Sequence, residues 1–157
     1  MYREKTKGLL AVADGRVVPL GDVPDEVFAG GMLGDGFAVD PVGGTVYSPA
    51  SGVVENVSET RHAYTIQTDD GLDVLVHVGV DTVNLRGEGF VSLVRAGDSV
   101  QAGDVIAMVD LSRIRAEGLS PVIPVVVSNR EEMVNEQLLP GEVKGGKSIA
   151  FTYEKQS

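Results

Sequence analysis

Apolar residues in this chain alternate with polar ones over short runs, and Gly, Pro and Asp cut the runs apart. That texture predicts strands of about four to seven residues joined by tight turns, not a βαβ alternation. Gly8–Ala13 and Arg16–Leu20 read as strands around an Asp14-Gly15 turn. Val23–Ala29 places Pro24 at a first helical position, acids at Asp25 and Glu26, and Gly30 as a stop, which predicts a helix of one or two turns. Met32–Gly36 reads as a loop with glycines around Asp35. Phe37–Asp40, Thr45–Ser48 and Gly52–Val57 follow as short strands, with Pro41 and Pro49 as breakers. Ala96–Ala107 repeats a Gly-Asp turn feeding short buried strands, and Asp110–Glu117 is the best helix candidate, with Asp110 as N-cap and Gly118 as terminator. Pro121–Ser128 and Ser148–Glu154 are late strands. Glu131–Gly146 reads as polar connections with one short extended piece. No linker is rich enough to split the chain, so the expectation is one domain over residues 1–157, with 1–7 as a flexible N-terminal tail.

One hairpin carries the chemistry. Ala63–Thr68 and Leu72–Val78 are β-rich runs joined through Asp69-Asp70-Gly71, and they bring together His62 and His77, the only two histidines in 157 residues. A loop centred between Asp69 and Asp70 sets His62 opposite His77. A loop centred on Asp70-Gly71 sets His77 opposite Tyr64, with His62 diagonal to it. Both registers put the two imidazoles on one face, with Cβ atoms roughly 5–8 Å apart; a one-residue bulge would separate them. Val74, Val76 and Val78 read as the core face. Tyr64, Ile66 and Leu75 are expected to share the histidine face and make it a shallow docking surface, with Tyr64 and Leu75 as contacts for a partner. Geometry alone also allows a plain structural histidine pair.

Composition removes several alternatives. There are no cysteines, so neither a disulfide framework nor a thiolate metal site exists. Net charge is −10, and the thirteen Lys and Arg are scattered without a basic cluster, which argues against nucleic acid and favours a basic protein partner. Met1–Lys7 is polar and charged with no apolar segment behind it, and no run approaches a membrane span, so a cytoplasmic chain is expected.

The motifs then point to a family. T-x-H at Thr60–His62, V-H-V-G-V-D-T-V-N-L-x-G-E-G-F at Val76–Phe90, D-V-P-D-E-V-F-A at Asp22–Ala29, L-G-D-G-F-A-V-D-P at Leu33–Pro41, S-P-A-S-G-V-V at Ser48–Val54 and S-P-V-I-P-V-V-V-S-N at Ser120–Asn129 together resemble the glucose-family IIA domain of the bacterial phosphoenolpyruvate-dependent sugar phosphotransferase system. The resemblance covers nearly the whole chain. It implies an all-β fold, an antiparallel β-sandwich or barrel-sandwich hybrid with a duplicated hybrid motif and one or two helical turns. It implies a phosphocarrier that takes a phosphoryl group from phospho-HPr on His77 and passes it to a cysteine of a sugar-specific IIB domain. His62 matches the histidine that donates to the phosphoryl oxygens, Thr60 the hydroxyl that orients it, and Gly79 the carbonyl that fixes His77. Asp35 and Asp81 match carboxylates that receive an arginine of HPr. Val23, Val27, Phe28, Met32 and Leu33 match an apolar rim for HPr and IIB, some of it exposed. Regulatory protein targets are known for relatives. No cofactor is required, while a zinc ion shared by His62, His77 and a partner carboxylate is a further mode. Arg61 and Tyr64 depart from the usual pattern without removing a reacting group, and alternation points Arg61 to the opposite face.

Two rivals are weaker. A LytM-type zinc metallopeptidase shares the H-x-x-x-D spacing of His77 and Asp81, but the chain lacks an H-x-H element and a third histidine. A biotinyl or lipoyl carrier module needs a lysine at a hairpin tip, and this tip carries Asp69-Asp70-Gly71.

Overall fold

A computed structural model describes residues 6–156. Its strands are β1 Thr6–Leu10, β2 Gly15–Val18, β3 Asp35–Pro41, β4 Thr45–Tyr47, β5 Gly52–Val57, β6 Ala63–Thr68, β7 Asp73–His77, β8 Phe90–Ser92, β9 Ser99–Val100, β10 Val105–Val109, β11 Ile123–Val127, β12 Met133–Leu138, β13 Gly141–Val143 and β14 Ile149–Lys155. Two short helices, α1 Glu26–Ala29 and α2 Leu111–Ala116, complete it with a few 3₁₀ turns. Every strand pair is antiparallel. The sheets run β13-β2-β3-β11-β7-β6-β5-β9, β1-β14-β12 and β4-β10-β8, so the all-β antiparallel reading holds.

Away from the hairpin, sequence and structure differ at two places. Of the tail expected over 1–7, Thr6 and Lys7 instead belong to β1 and pair with Glu154 and Tyr153; residues 1–5 lie outside the described residues. The stretch 131–146, read as polar connection, contains β12 and β13. Both are edge strands with few buried positions, and β12 is interrupted by a register shift around Asn135 at φ 55°. The Ala96–Ala107 repeat is realised as two equivalent turns, in which Asp98 accepts from the Arg95 N–H (2.9 Å) and Asp104 from the Gln101 N–H (2.8 Å).

The core lies between the sheets. It takes Val17, Phe37, Val39, Val54, Ile66, Val74, Val76, Val125 and Val127 from the long sheet and Leu9, Phe151, Tyr153, Ile106 and Val109 from the small ones. A second cluster covers the other face of the long sheet, where Leu20, Val23 and Phe28 pack over Ala38, Val126 and Val80, with Leu75 half-buried beside them. Strand β11 is therefore buried at all five positions. A strand covered on both faces reads as continuous hydrophobic rather than alternating.

The hairpin register falls between the two expected ones. Thr68 pairs with Leu72 across a three-residue loop, with Gly71 at φ 93°. Ala63 therefore faces His77 and Tyr64 faces Val76. This inverts the assignment of β6: Tyr64 and Ile66 belong to the core, and Tyr64 is 0% exposed. Tyr64 is thus no docking contact. Its hydroxyl is the one buried side-chain polar atom without a partner among the described residues, because the neighbouring Ser92 donates to the Val94 carbonyl instead (2.7 Å). A buried orphan hydroxyl costs roughly 1–3 kcal/mol. Tyr64→Phe is expected to keep or raise stability by about 1 kcal/mol in urea titration; a loss of that size would mean the phenol has a partner.

Candidate active site

His77 closes β7 with its ring half-buried. Its Nδ1 donates to the Gly79 carbonyl at 2.7 Å. Gly79 sits at φ 85°, which bends the chain so that this carbonyl returns to the ring, and a Cβ there would collide with Thr82 Cγ2. A carbonyl only accepts, so Nδ1 holds the ring proton and Nε2 keeps its lone pair. The Phe28 ring stands 5.2 Å from the imidazole at 55°. Asp25 caps α1 under Phe28 by accepting from the Val27 N–H (2.8 Å).

His62 reaches the site from just before β6. By the hairpin's pairing it should lie on the core face, opposite Val78, whose N–H donates to its carbonyl (2.7 Å). Arg61 before it has a left-handed backbone at φ 60°. The two imidazoles meet edge to face, with centroids 4.9 Å apart at 81°. The expected proximity is right, although His62 pairs with Val78 and not directly with His77. Thr60 Oγ1 lies 2.6 Å and Ser58 Oγ 3.2 Å from His62 Nδ1. Ser58 Oγ also accepts from the N–H groups of His62 and Ala63, at 3.1 Å each. Nδ1 has a single lone pair; with the nearer Thr60 hydroxyl donating to it, the imidazole proton sits on Nε2. The pair thus offers one bare nitrogen and one N–H side by side, a nucleophile next to a donor.

Electrostatics keep both rings neutral. Burial, helped by the neighbouring His77, lowers the His62 pKa to about 4. Burial also lowers that of His77, opposed by its bond to Gly79 and by the charges of Asp25 and Asp81. Asp81 is exposed and left-handed at φ 60°. Asp35 begins β3 level with Val127 and, through it, Val74, three residues before His77; its carboxylate accepts from the Gly36 N–H (2.8 Å). Asp25 and Ser58 were not singled out by sequence. Asp25 reads there as a helix-start residue, and Ser58 acts only through a turn that alternation does not foresee. Of the apolar rim, Met32 (77% exposed), Val27 (42%) and Leu33 (39%) face solvent, while Val23 and Phe28 are buried in the second cluster. Val83, absent from the sequence reading, joins the exposed set at 51%. Among the described residues no group of three His, Cys, Asp or Glu is placed to hold a metal.

Comparison with known proteins supplies the context. The family model for the phosphoenolpyruvate-dependent sugar phosphotransferase system, EIIA 1, matches residues 7–133. The glucose-specific EIIA component of Haemophilus influenzae is 37% identical over 147 residues, covering 94% of this chain and 89% of that protein. That of Halalkalibacterium halodurans is 40% identical over 149 residues, covering 94% and 86%. The glucose-specific EIICBA component of Streptococcus pneumoniae is 44% identical over 137 residues, of which this chain spans 87% of its own length but only 19% of the relative's. The solved glucose permease IIA of Mycoplasma capricolum superposes with a TM-score of 0.87 at 38% identity, covering 94% of this chain and 96% of that one.

An unfolded histidine titrates near 6.5 and folded His62 near 4, so the unfolded chain binds the extra proton between these values. The stability His62 contributes is complete above about pH 6.5 and is lost as the pH falls toward 4. NMR titration should give His62 a midpoint near 4, and His62→Gln should flatten the acid slope of the urea midpoint. A His62 midpoint at 6.5 would contradict the burial argument.

Proposed function

This chain belongs to the EIIA 1 family of the phosphoenolpyruvate-dependent sugar phosphotransferase system and is a phosphocarrier of it, and on that premise we propose that His77 is the phosphoryl acceptor. The observation carrying this is the Nδ1–Gly79 hydrogen bond, which leaves Nε2 as the nucleophile. Nε2 attacks the phosphorus of the phosphohistidine on HPr in line. The donor's P–N bond breaks with its electron pair leaving on the donor ring, and a P–N bond forms on His77. The His62 Nε2–H, held by Thr60 and Ser58, donates to a phosphoryl oxygen as the group moves. In the second transfer a IIB cysteine thiolate attacks, and His77 leaves as the neutral ring.

Docking follows from what surrounds the rings. Asp25 and Asp81, whose charges already act on His77, and Asp35 further along the sheet would meet an arginine of HPr. Val27, Met32, Leu33 and Val83 form the exposed apolar margin on which HPr and IIB sit in turn. The S. pneumoniae relative is named as an EIICBA protein, which supports a IIB domain as the next acceptor here. Its glucose-specific name and those of the EIIA relatives make glucose the first sugar to test.

The reading takes residues 1–157 as one domain acting in the cytoplasm; no helix among the described residues is long and apolar enough to cross a membrane. No cofactor takes part in either transfer. A zinc ion shared with a partner carboxylate would use Nε2 of both rings, so His62 would first have to give up the proton that Thr60 places there. Such binding would occlude the acceptor, which suits regulatory targets rather than transfer.

Incubation with phosphoenolpyruvate, enzyme I and HPr, followed by intact-mass analysis, should add one acid-labile phosphoryl group. His77→Ala should add none, and a stoichiometric phospho-form of that variant would sink the assignment. His62→Gln is expected to accept the group through its amide but to pass it to IIB at least tenfold more slowly, as loss of a positioned donor does. An unchanged onward rate would reduce His62 to a structural role.

A further inference from the structure

Arg61 stands at the hinge of the site and has not been assigned a part in it. Its backbone occupies the left-handed region at φ 60°, where Gly or Asn sits at lower cost than a long side chain. Its N–H closes the Ser58–Arg61 turn onto the Ser58 carbonyl (2.9 Å). Its guanidinium crosses to the segment that follows His77: Nε donates to the Phe90 carbonyl and Nη2 to the Gly87 carbonyl, each at 3.1 Å. Gly87, at φ 85°, leaves room for this approach, since a Cβ there would lie 2.6 Å from Nη2. Arg61 makes no ion pair among the described residues, so its charge is met by backbone carbonyls.

These bonds close a loop of contacts around the two imidazoles. Gly79 ties the near end of the 79–90 segment to His77. Thr82, fully buried, pins that segment to the Val78 carbonyl at 2.6 Å. Arg61 ties the far end to the turn bearing Thr60 and His62. The geometry points to Arg61 as a positioning residue that holds the Thr60–His62 pair against His77, so that the His62 N–H meets the phosphoryl group. A single ammonium cannot imitate a planar fork serving two carbonyls. The spacing of the donor from the acceptor ring therefore depends on guanidinium geometry as well as on charge. This inference rests on the phosphocarrier reading of both histidines.

The test compares Arg61→Asn, which suits the left-handed backbone, with Arg61→Lys. Arg61→Asn should still accept one phosphoryl group on His77. Its single-turnover transfer to IIB should fall tenfold to about a hundredfold, the usual penalty for misplacing a reacting group. Its His62 NMR midpoint should move from about 4 toward 6.5 as the ring loosens. Arg61→Lys should recover only part of both. A wild-type onward rate with an unmoved His62 midpoint overturns the proposal, as does full recovery by lysine. If Arg61→Asn fails to fold, Arg61→Lys decides by the same two readouts. If wild-type protein takes no phosphoryl group, the acceptor assignment fails; the His62 midpoint in Arg61→Asn still shows whether Arg61 holds the ring.

Discussion

The site depends on one hydrogen bond between a ring and its own backbone. His77 Nδ1 reaches the carbonyl two residues on, and that contact fixes which nitrogen is bare. It requires the chain to turn sharply right after β7, which places a glycine at position 79 and sends the following residues back along the site instead of across the sheet. That segment then brings the charge of Asp81 to His77 and the carbonyls of Gly87 and Phe90 to the Arg61 guanidinium. The nucleophile and its neighbouring charge share one origin in a local backbone decision.

Much of this was legible in the sequence, and the failures have physical causes. Gly79, Thr60 and the two histidines sit in motifs whose spacing survives folding unchanged. The parity of β6 was misread because a three-residue loop and a two-residue loop differ by one position, and one position exchanges the faces of a strand. Tyr64 was lost to the core by that shift. The histidines nevertheless meet, since His62 pairs with Val78, the neighbour of His77. Of the apolar rim, read as exposed only in part, Val23 and Phe28 are the buried members, because a short helix must bury one side to be stable at all. Strands β12 and β13 were legible only as one short extended piece, because edge strands bathed in solvent carry little apolar alternation.

Support beneath the site is unusually thorough for a sheet face near solvent. The second cluster presses Phe28 and Val23 onto Ala38 and Val126, directly over a strand whose five residues are all buried. His77 thus projects from a platform packed on both sides, while His62 hangs from a turn held by hydroxyls and a guanidinium.

The carboxylates beside the rings bear on how long a phosphoryl group would stay. Asp25 and Asp81 stabilise a positive imidazole, and by the same sign they repel a group bringing up to two negative charges into a chain already at −10. On the phosphocarrier reading, the loaded state is lifted in free energy until a cationic partner arrives to neutralise it. Such a protein has a high transfer potential and little storage capacity. It behaves as a relay whose cargo is most stable in company, and traffic through it is governed by which partner is docked.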